Sequence, residues 1–341
     1  MFFCIMKKEK WRDGPKYIIR FSEGRFMVFR QLFYVLSLKR NGKLCNFKYL
    51  NLIIMNKAVF VLSTWFLLFS FSSCSSQDEI PVLFHLPKSL KEVSGITSDK
   101  NSLWAIADSG NKNVIFQLNW DGKLIKEVTI SNAENIDWED LSRDVEGNLY
   151  VGDFGNNDNT RKDLCIYKIS KDSLDTDFCK ASAKISFSYP EQKEFPPKKT
   201  ELIYDAEAFI VFQNYFYIFT KNRSKNSDGT TLLYRIPMIE GHHQAILVGS
   251  FVTDQRYSYG AVTSAAISPN QQKVVLLSNQ KVWLFENFES DHFFEGKKTE
   301  IDLNHYSQKE AITFKDNHIL WIADEKVKKN GGNVYQVPLK P

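Results

Sequence analysis

Six histidines and five cysteines are all that the 341 residues provide of the usual soft metal ligands and nucleophiles. Their placement excludes more than their number. The cysteines stand at positions 4, 45, 74, 165 and 179, with no Cys-x-x-Cys pair, so a zinc knuckle or a thioredoxin-type site has no basis. His85, His242, His243, His292, His305 and His318 are scattered over strand ends and loops. No His-Glu-x-x-His, Gly-x-Ser-x-Gly or Walker loop is present, which removes zincin, nucleophile-elbow and P-loop chemistry. Amphipathic helical runs of about 10 residues or more are also lacking after residue 80, so helical and α/β architectures are poor fits.

What is present begins with a leader. Residues 1–54 are rich in Phe, Tyr, Lys and Arg and show no helical or strand period. They read as an over-extended, disordered upstream segment. Met55-Asn56-Lys57 then opens an apolar run of 14 residues, Ala58 to Phe71, followed by Ser72-Ser73-Cys74. A basic start, a short apolar core and small residues are the parts of a secretory signal over 55–73. The run is too short for a comfortable membrane span, which needs about 20 residues. An ordinary cleaved signal with an incidental Cys is the plainer alternative.

The leader also holds the positive charge. The whole chain carries a formal net charge of +4, but residues 1–73 contain 13 basic and 3 acidic groups. The remainder carries 31 basic and 37 acidic groups, a net of −6. A mildly acidic domain gives no reason to expect nucleic acid as a partner. Cys165 and Cys179 fall on neighbouring strands. An exported protein could join them, or they are two separate buried thiols; register decides.

The mature chain is a set of diverged repeats, the sign of a propeller or solenoid. The units open at Glu92-Val93-Ser94, Glu139-Asp140-Leu141, Glu207-Ala208-Phe209, Thr263-Ser264-Ala265 and Glu310-Ala311-Ile312. Each continues into an apolar second strand: Leu103–Asp108, Leu149–Asp153, Phe216–Lys221, Val274–Ser278 and Leu320–Asp324. Third strands are expected at Val114–Leu118, Leu164–Ile169, Leu232–Ile236, Val282–Phe285 and Val334–Val337. Fourth strands are expected at Leu124–Ile130, Ala183–Tyr189, Ala245–Val252 and Lys298–Leu303. The last unit lacks its fourth strand, and an orphan strand, Ile80–Leu86, precedes the first. Pairing the two closes a ring and removes the sheet edges. The expectation is an all-β, single β-propeller over 80–341 with five blades of four antiparallel strands. Six blades stay open if two weak repeats have been merged. A β-sandwich explains the alternation but not the recurrent Glu-initiated strand.

Leu103-Trp104-Ala105-Ile106-Ala107-Asp108-Ser109-Gly110-Asn111, with Asp121-Gly122 beyond it, resembles an NHL-type propeller repeat, and Leu149-Tyr150-Val151-Gly152-Asp153-Phe154-Gly155-Asn156 resembles a second. Phe71-Ser72-Ser73-Cys74 resembles a bacterial lipobox with Phe where Leu is usual, and Ser75-Ser76-Gln77-Asp78-Glu79 resembles a surface-export tether. The chain is similar to the propeller lipoproteins of Bacteroidetes, and more distantly to the SMP-30/gluconolactonase and SdiA-regulated propellers. The resemblance implies lipidation at Cys74, a tether over 74–79 and an outer-membrane, envelope location that extends to the cell surface. It is specific for fold and weak for chemistry.

In a propeller the first strands line the channel, so Glu92, Glu139, Glu207 and Glu310 are expected to ring one mouth, with Thr263 at the fifth place. Asp108, Asp153 and Asp324 are expected just outside them, and Lys221 with Arg223 at the matching place of the third unit. Converging carboxylates repel one another and need a cation, protons or basic partners. Oxygen donors favour Ca²⁺ or Mg²⁺, and no organic cofactor is indicated. Lys221 and Arg223 would then meet an anionic group. Equally open is a purely structural role, with each Glu bonding the backbone of the next blade. Trp138 presents a face to a sugar or packs in the core. The loop Asp153–Thr160 reads as an Asx-rich turn in preference to a calcium loop. The functions that remain are an envelope-anchored module binding a small molecule, glycan or protein; a metal-dependent hydrolase of the lactonase, esterase or phosphoesterase kind; and a subunit of an outer-membrane assembly.

Overall fold

The computed structural model describes residues 4–11, 14–21, 26–30, 33–40, 43–46 and 80–340. Two units are distinguished, residues 1–76 and 77–341. In the first, β1 (Cys4–Trp11), β2 (Gly14–Phe21), β3 (Phe26–Arg30), β4 (Phe33–Arg40) and β5 (Lys43–Asn46) form an antiparallel meander in chain order, a regularity the sequence reading did not assign. The expected signal segment, Cys74 and the tether lie outside the described residues. No helix of the described residues is long and apolar enough to cross a membrane.

The second unit opens with β6 (Val82–His85). The first blade is β7 (Val93–Ser98), β8 (Leu103–Ala107), β9 (Val114–Leu118) and β10 (Leu124–Ile130). The second is β11 (Trp138–Arg143), β12 (Leu149–Asp153), β13 (Cys165–Ile169) and, after the short β14 (Phe178–Cys179), β15 (Ala183–Ser188). The third is β16 (Asp205–Phe212), β17 (Tyr215–Lys221), β18 (Thr230–Pro237) and, after β19 (Gly241–Gln244), β20 (Ile246–Val252). A one-turn helix α1 (Tyr257–Gly260) leads to the fourth blade, β21 (Ser264–Ile267), β22 (Lys273–Leu277), β23 (Lys281–Glu286) and β24 (Lys297–Asp302). The fifth is β25 (Lys309–Asp316), β26 (Ile319–Asp324) and β27 (Asn333–Pro338), completed by β6.

The innermost strands close a ring: β7 packs against β11, β11 against β16, β16 against β21, β21 against β25, and β25 back against β7. Closure at five excludes the six-blade count and the sandwich. The closing pair is antiparallel, with Asn333 opposite His85 and Val334 opposite Phe84, as the orphan strand suggested. Two short strands were not foreseen. β14 adds in parallel to the outer edge of the first blade, and β19 to that of the second. Each covers an edge with a segment borrowed from the chain of the next blade.

Burial explains why the ring holds. Strands shielded on both faces read as nearly continuous apolar runs, as in Leu103-Trp104-Ala105-Ile106-Ala107, all buried. The core divides into five apolar clusters, one per blade junction. Between the second and third blades Phe154, Phe187, Phe209 and Phe216 are fully buried, with Phe154 and Phe209 edge to face at 5.5 Å. Each such ring stabilises by roughly 1.5–3 kcal/mol through area removed from water. Trp138 belongs to the junction of the first and second blades: it is wholly buried, and its indole N–H donates to the Glu134 carbonyl at 3.1 Å. No face is left for a sugar. Cys165 and Cys179 lie in the same cluster as free, buried thiols.

Candidate metal centre at the channel mouth

Four of the five inner strands carry a bulge near their start, between Val93 and Gly95, Trp138 and Asp140, Ala206 and Ala208, and Lys309 and Ala311. A bulged residue is left out of the ladder and its side chain is re-aimed. The residues so released are Ser94, Glu139, Glu207 and Glu310. With Thr263 of the fourth blade they line one cavity of about 280 Å³. Glu139, Glu207, Glu310 and Thr263 therefore sit where the repeat places them. Glu92 does not. It lies two residues before the ring position, on the rim, where Oε2 accepts from Asn111 Nδ2 at 2.9 Å and Oε1 meets Lys91 Nζ at 3.1 Å. Ser94 takes its place, with a buried hydroxyl that has no partner among the described residues.

The second strands divide in the same way. Val93 pairs with Ala107 and Ala206 with Thr220, whereas Trp138 pairs with Asp153 and Lys309 with Asp324. The hairpins of the second and fifth blades are one residue longer from ring position to partner. The cavity-facing position is the one after the paired residue: Asp108, Lys221 and Glu325. Asp153 and Asp324 point away from it. Asp153 Oδ1 takes Arg161 Nη2 at 3.0 Å and the Asp137 N–H at 3.1 Å. Asp324 takes the Asn333 N–H at 2.8 Å and the Tyr335 hydroxyl at 2.7 Å. Glu325 was missed by sequence reasoning for the same reason that Asp324 was chosen.

Beneath the ring, the next residue of each strand closes the axis. Asp140 of the second blade accepts from the Phe209 N–H at 3.1 Å and from the Ser264 hydroxyl at 3.2 Å. The second and fourth blades are not neighbours, so this bond crosses the centre. Ser264 Oγ accepts in turn from the Ile312 N–H of the fifth blade at 3.2 Å. Gly95 completes the layer, because a Cβ there would stand 2.4 Å from the Leu141 nitrogen. The cavity thus has a floor.

Inside it the charges are arranged unequally. Glu207 is held between Lys221 Nζ and Arg223 Nη2, the latter at 2.6 Å. Arg223 Nε donates to Asp205, and Nη1 to the Tyr257 hydroxyl at 2.9 Å. Each nitrogen of Arg223 makes one bond within the protein and Lys221 pairs with Glu207, so both cations are tied to neighbouring carboxylates while still lining the cavity. Asp108, Asp137 and Glu139 make no direct ion pair among the described residues. One carboxylate oxygen each from Asp108, Asp137 and Glu139 lies within 4.8 Å of the other two. Glu139 is 9% exposed and, among the described residues, receives no hydrogen bond or ion pair. Gly155 makes the room: a Cβ there would stand 2.0 Å from Glu139 Oε1 and 2.3 Å from Asp137 Oδ2. Asp137 was not singled out from sequence. It holds the same place two residues before the ring as Glu92 and Asp205, and only the approach of Gly155 distinguishes it.

Burial displaces the titrations of these groups. Asp137 is pushed up to about 6, by desolvation first and by Asp108 second. Glu139 lies well above the ordinary carboxylate range, by burial and then by the charge of Glu207. Glu310 is raised to about 8 and Glu325 to about 7, both chiefly by burial. Of the three carboxylates that could hold a cation, Glu139 is the one whose proton competes with it most. The Asp153–Thr160 loop is a structural turn at its base: Asn159 has φ 53°, the Asn156 N–H donates to Asp205 at 2.8 Å, and Asn156 Oδ1 accepts from the Arg161 N–H at 2.8 Å.

No family model matches the chain, and no curated protein is similar to it in sequence. Solved propeller structures are similar at low identity. A gluconolactonase of Xanthomonas campestris is 10% identical, with 70% of this chain and 69% of that one covered and a TM-score of 0.36. The β-propeller domain of Swd1 (Cps50) of Myceliophteria thermophila is 9% identical, with both chains fully covered, 100% and 100%, and a TM-score of 0.36. Hydrazine synthase of Kuenenia stuttgartiensis is 11% identical over 79% of this chain and 70% of that one, with a TM-score of 0.33.

Proposed function

We propose that this chain is a lipid-anchored protein of the cell envelope that binds a ligand at the propeller mouth through a divalent cation held by Asp108, Asp137 and Glu139. The observation that carries the reading is Glu139, a buried carboxylate with no donor, facing two further carboxylates across a space that Gly155 leaves open. An all-oxygen donor set suits Ca²⁺ or Mg²⁺. Calcium takes 6–8 oxygens, so three carboxylates leave positions for oxygens of a ligand. Cation and protons compete for Asp137 and Glu139, whose titrations burial raises, so affinity rises with pH. Anchoring rests on the sequence: Cys74 follows a signal-like segment, and a short tether separates it from the first described residue of the propeller unit at position 80.

A thermal melt of the purified protein after EDTA, with Ca²⁺, Mg²⁺ or Mn²⁺ added back, tests the cation. A native-state ligand raises the melting temperature with its concentration. One of these ions does so for the wild type and not for Glu139→Gln; equal shifts in both proteins would remove the site. Cys74→Ala should move the protein from the membrane to the soluble fraction, and retention in the membrane would count against the anchor.

A metal-dependent hydrolase is the second reading, favoured by Glu310. It lines the same cavity as Asp108 and Glu139, has no hydrogen-bond partner among the described residues, and at about 8 keeps its proton at neutral pH. A protonated carboxyl so placed can give a proton to a leaving group. A bound cation would supply charge stabilisation. Turnover of esters, lactones or phosphoesters that Glu310→Gln abolishes, with cation binding intact, distinguishes this reading.

A further inference from the structure

The chain enters the propeller at the end opposite the carboxylate mouth, and strand direction fixes this. β26 runs from Ile319 to Asp324 and ends at the mouth, beside Glu325. β27 runs back from Asn333, whose N–H donates to Asp324 at 2.8 Å, to Pro338 opposite Ile319. β6 then runs towards the mouth. The Gln336 N–H donates to the Pro81 carbonyl at 3.3 Å, and the Leu86 N–H to the Gly332 carbonyl at 2.9 Å. Ile80 packs against the cluster that includes Val337 and Leu339, just past the end of β27. The turns between the first and second strands of all five blades lie at that same end. Between it and the mouth, the layer of Gly95, Asp140 and Ser264 shuts the axis.

We propose that the anchored protein stands with this closed end on the bilayer surface and its carboxylate mouth turned away, so that the ligand arrives from the aqueous side and is not a lipid of the anchoring leaflet. The proposal rests on the lipid-anchor reading above, with Cys74 as the point of attachment. Length decides the orientation. Residues 74–79 can span at most about 20 Å, at roughly 3.5 Å per residue. Blade strands of five to eight residues, at about 3.3 Å per residue, put the mouth roughly 17–26 Å from the closed end. A tether of that reach is used up in climbing the outside of the fifth blade, before it could meet a bilayer lying over the mouth. The mouth also suits water: every residue lining its cavity is polar or charged, so it offers no apolar side chain to hydrocarbon. Because the axis is shut, no lipid reaches the cavity through the channel from the closed end.

The test places a fluorophore at either end of the lipidated full chain, bound to phosphatidylcholine vesicles that carry a nitroxide on the headgroup as quencher. Cys165 and Cys179 are buried, so an added exposed cysteine takes the label, and the parent protein sets the background. Asp121→Cys and Glu146→Cys mark exposed turns of the closed end; Lys112→Cys and Lys329→Cys mark exposed loops of the mouth. The closed-end labels should be quenched at least about twofold more than the mouth labels, because a strand length separates the two ends. If binding needs Cys74 and the mouth labels are quenched as much or more, the orientation is wrong and the anchor stands. If the protein does not bind the vesicles, or binds equally after Cys74→Ala, the anchor reading fails and the orientation falls with it.

Discussion

Replacing Glu310 by Gln keeps the shape of the side chain and removes its ability to ionise. In the folded protein Glu310 titrates at about 8, against an ordinary value of 4.5. Between those values the folded chain holds a proton that the unfolded chain has released. Stability therefore falls as pH rises from about 4.5 to about 8 and is flat above that. A displacement of this size corresponds to about 5 kcal/mol at 1.36 kcal/mol per pH unit. Glu207 and Glu325 share the cavity and titrate with it, so about half of that, 2–3 kcal/mol, is the expected difference. For a unit of this size it amounts to about 4–10 °C in melting temperature. The assay is a melt in EDTA at pH 5, 6, 7, 8 and 9. Glu310→Gln should gain on the wild type steadily between pH 5 and 8. A difference between the two proteins that stays constant over that range would show that Glu310 does not titrate in a buried cavity, and the account of the ring would fall with it.

Two further perturbations follow from the same geometry. Gly155→Ala puts a methyl group within 2.0 Å of Glu139 Oε1, so it should weaken cation binding at least tenfold by titration calorimetry while leaving the circular-dichroism spectrum of the sheet unchanged; undiminished affinity would mean that the cation sits elsewhere. Deleting residues 80–86 removes β6 and leaves β27 as an open edge. The melting temperature should then drop by more than 10 °C, with aggregation, because an unpaired apolar edge invites pairing between chains (on the order of several kcal/mol for the lost cluster).

The five-fold repeat, the strand positions and the closing role of the orphan strand were legible because they depend on local pattern. Apolar alternation, turn residues and a unit of near-constant length survive divergence. Even the ring was partly legible: Glu139, Glu207, Thr263 and Glu310 recur at the start of an inner strand and all reach the cavity. Trp138 shows the limit, since a Trp between acids is as compatible with a sugar platform as with a blade junction, and only packing assigns it to the junction.

What the sequence determined by itself is which residues form strands and which strand closes the ring. What only the tertiary structure decided is which side of each strand faces the channel. Side chains alternate with a period of two, so one residue of slippage turns an inward carboxylate outward. The bulges put Ser94, not Glu92, into the ring, and the longer hairpins of the second and fifth blades turn Asp153 and Asp324 away while Glu325 turns in. Asp137 becomes a candidate ligand only because Gly155, from the loop after the second strand, leaves space against it. Composition carries no trace of that approach, because it is a contact across the β11–β12 hairpin, where the Gly155 N–H donates to the Asp137 carbonyl at 3.2 Å.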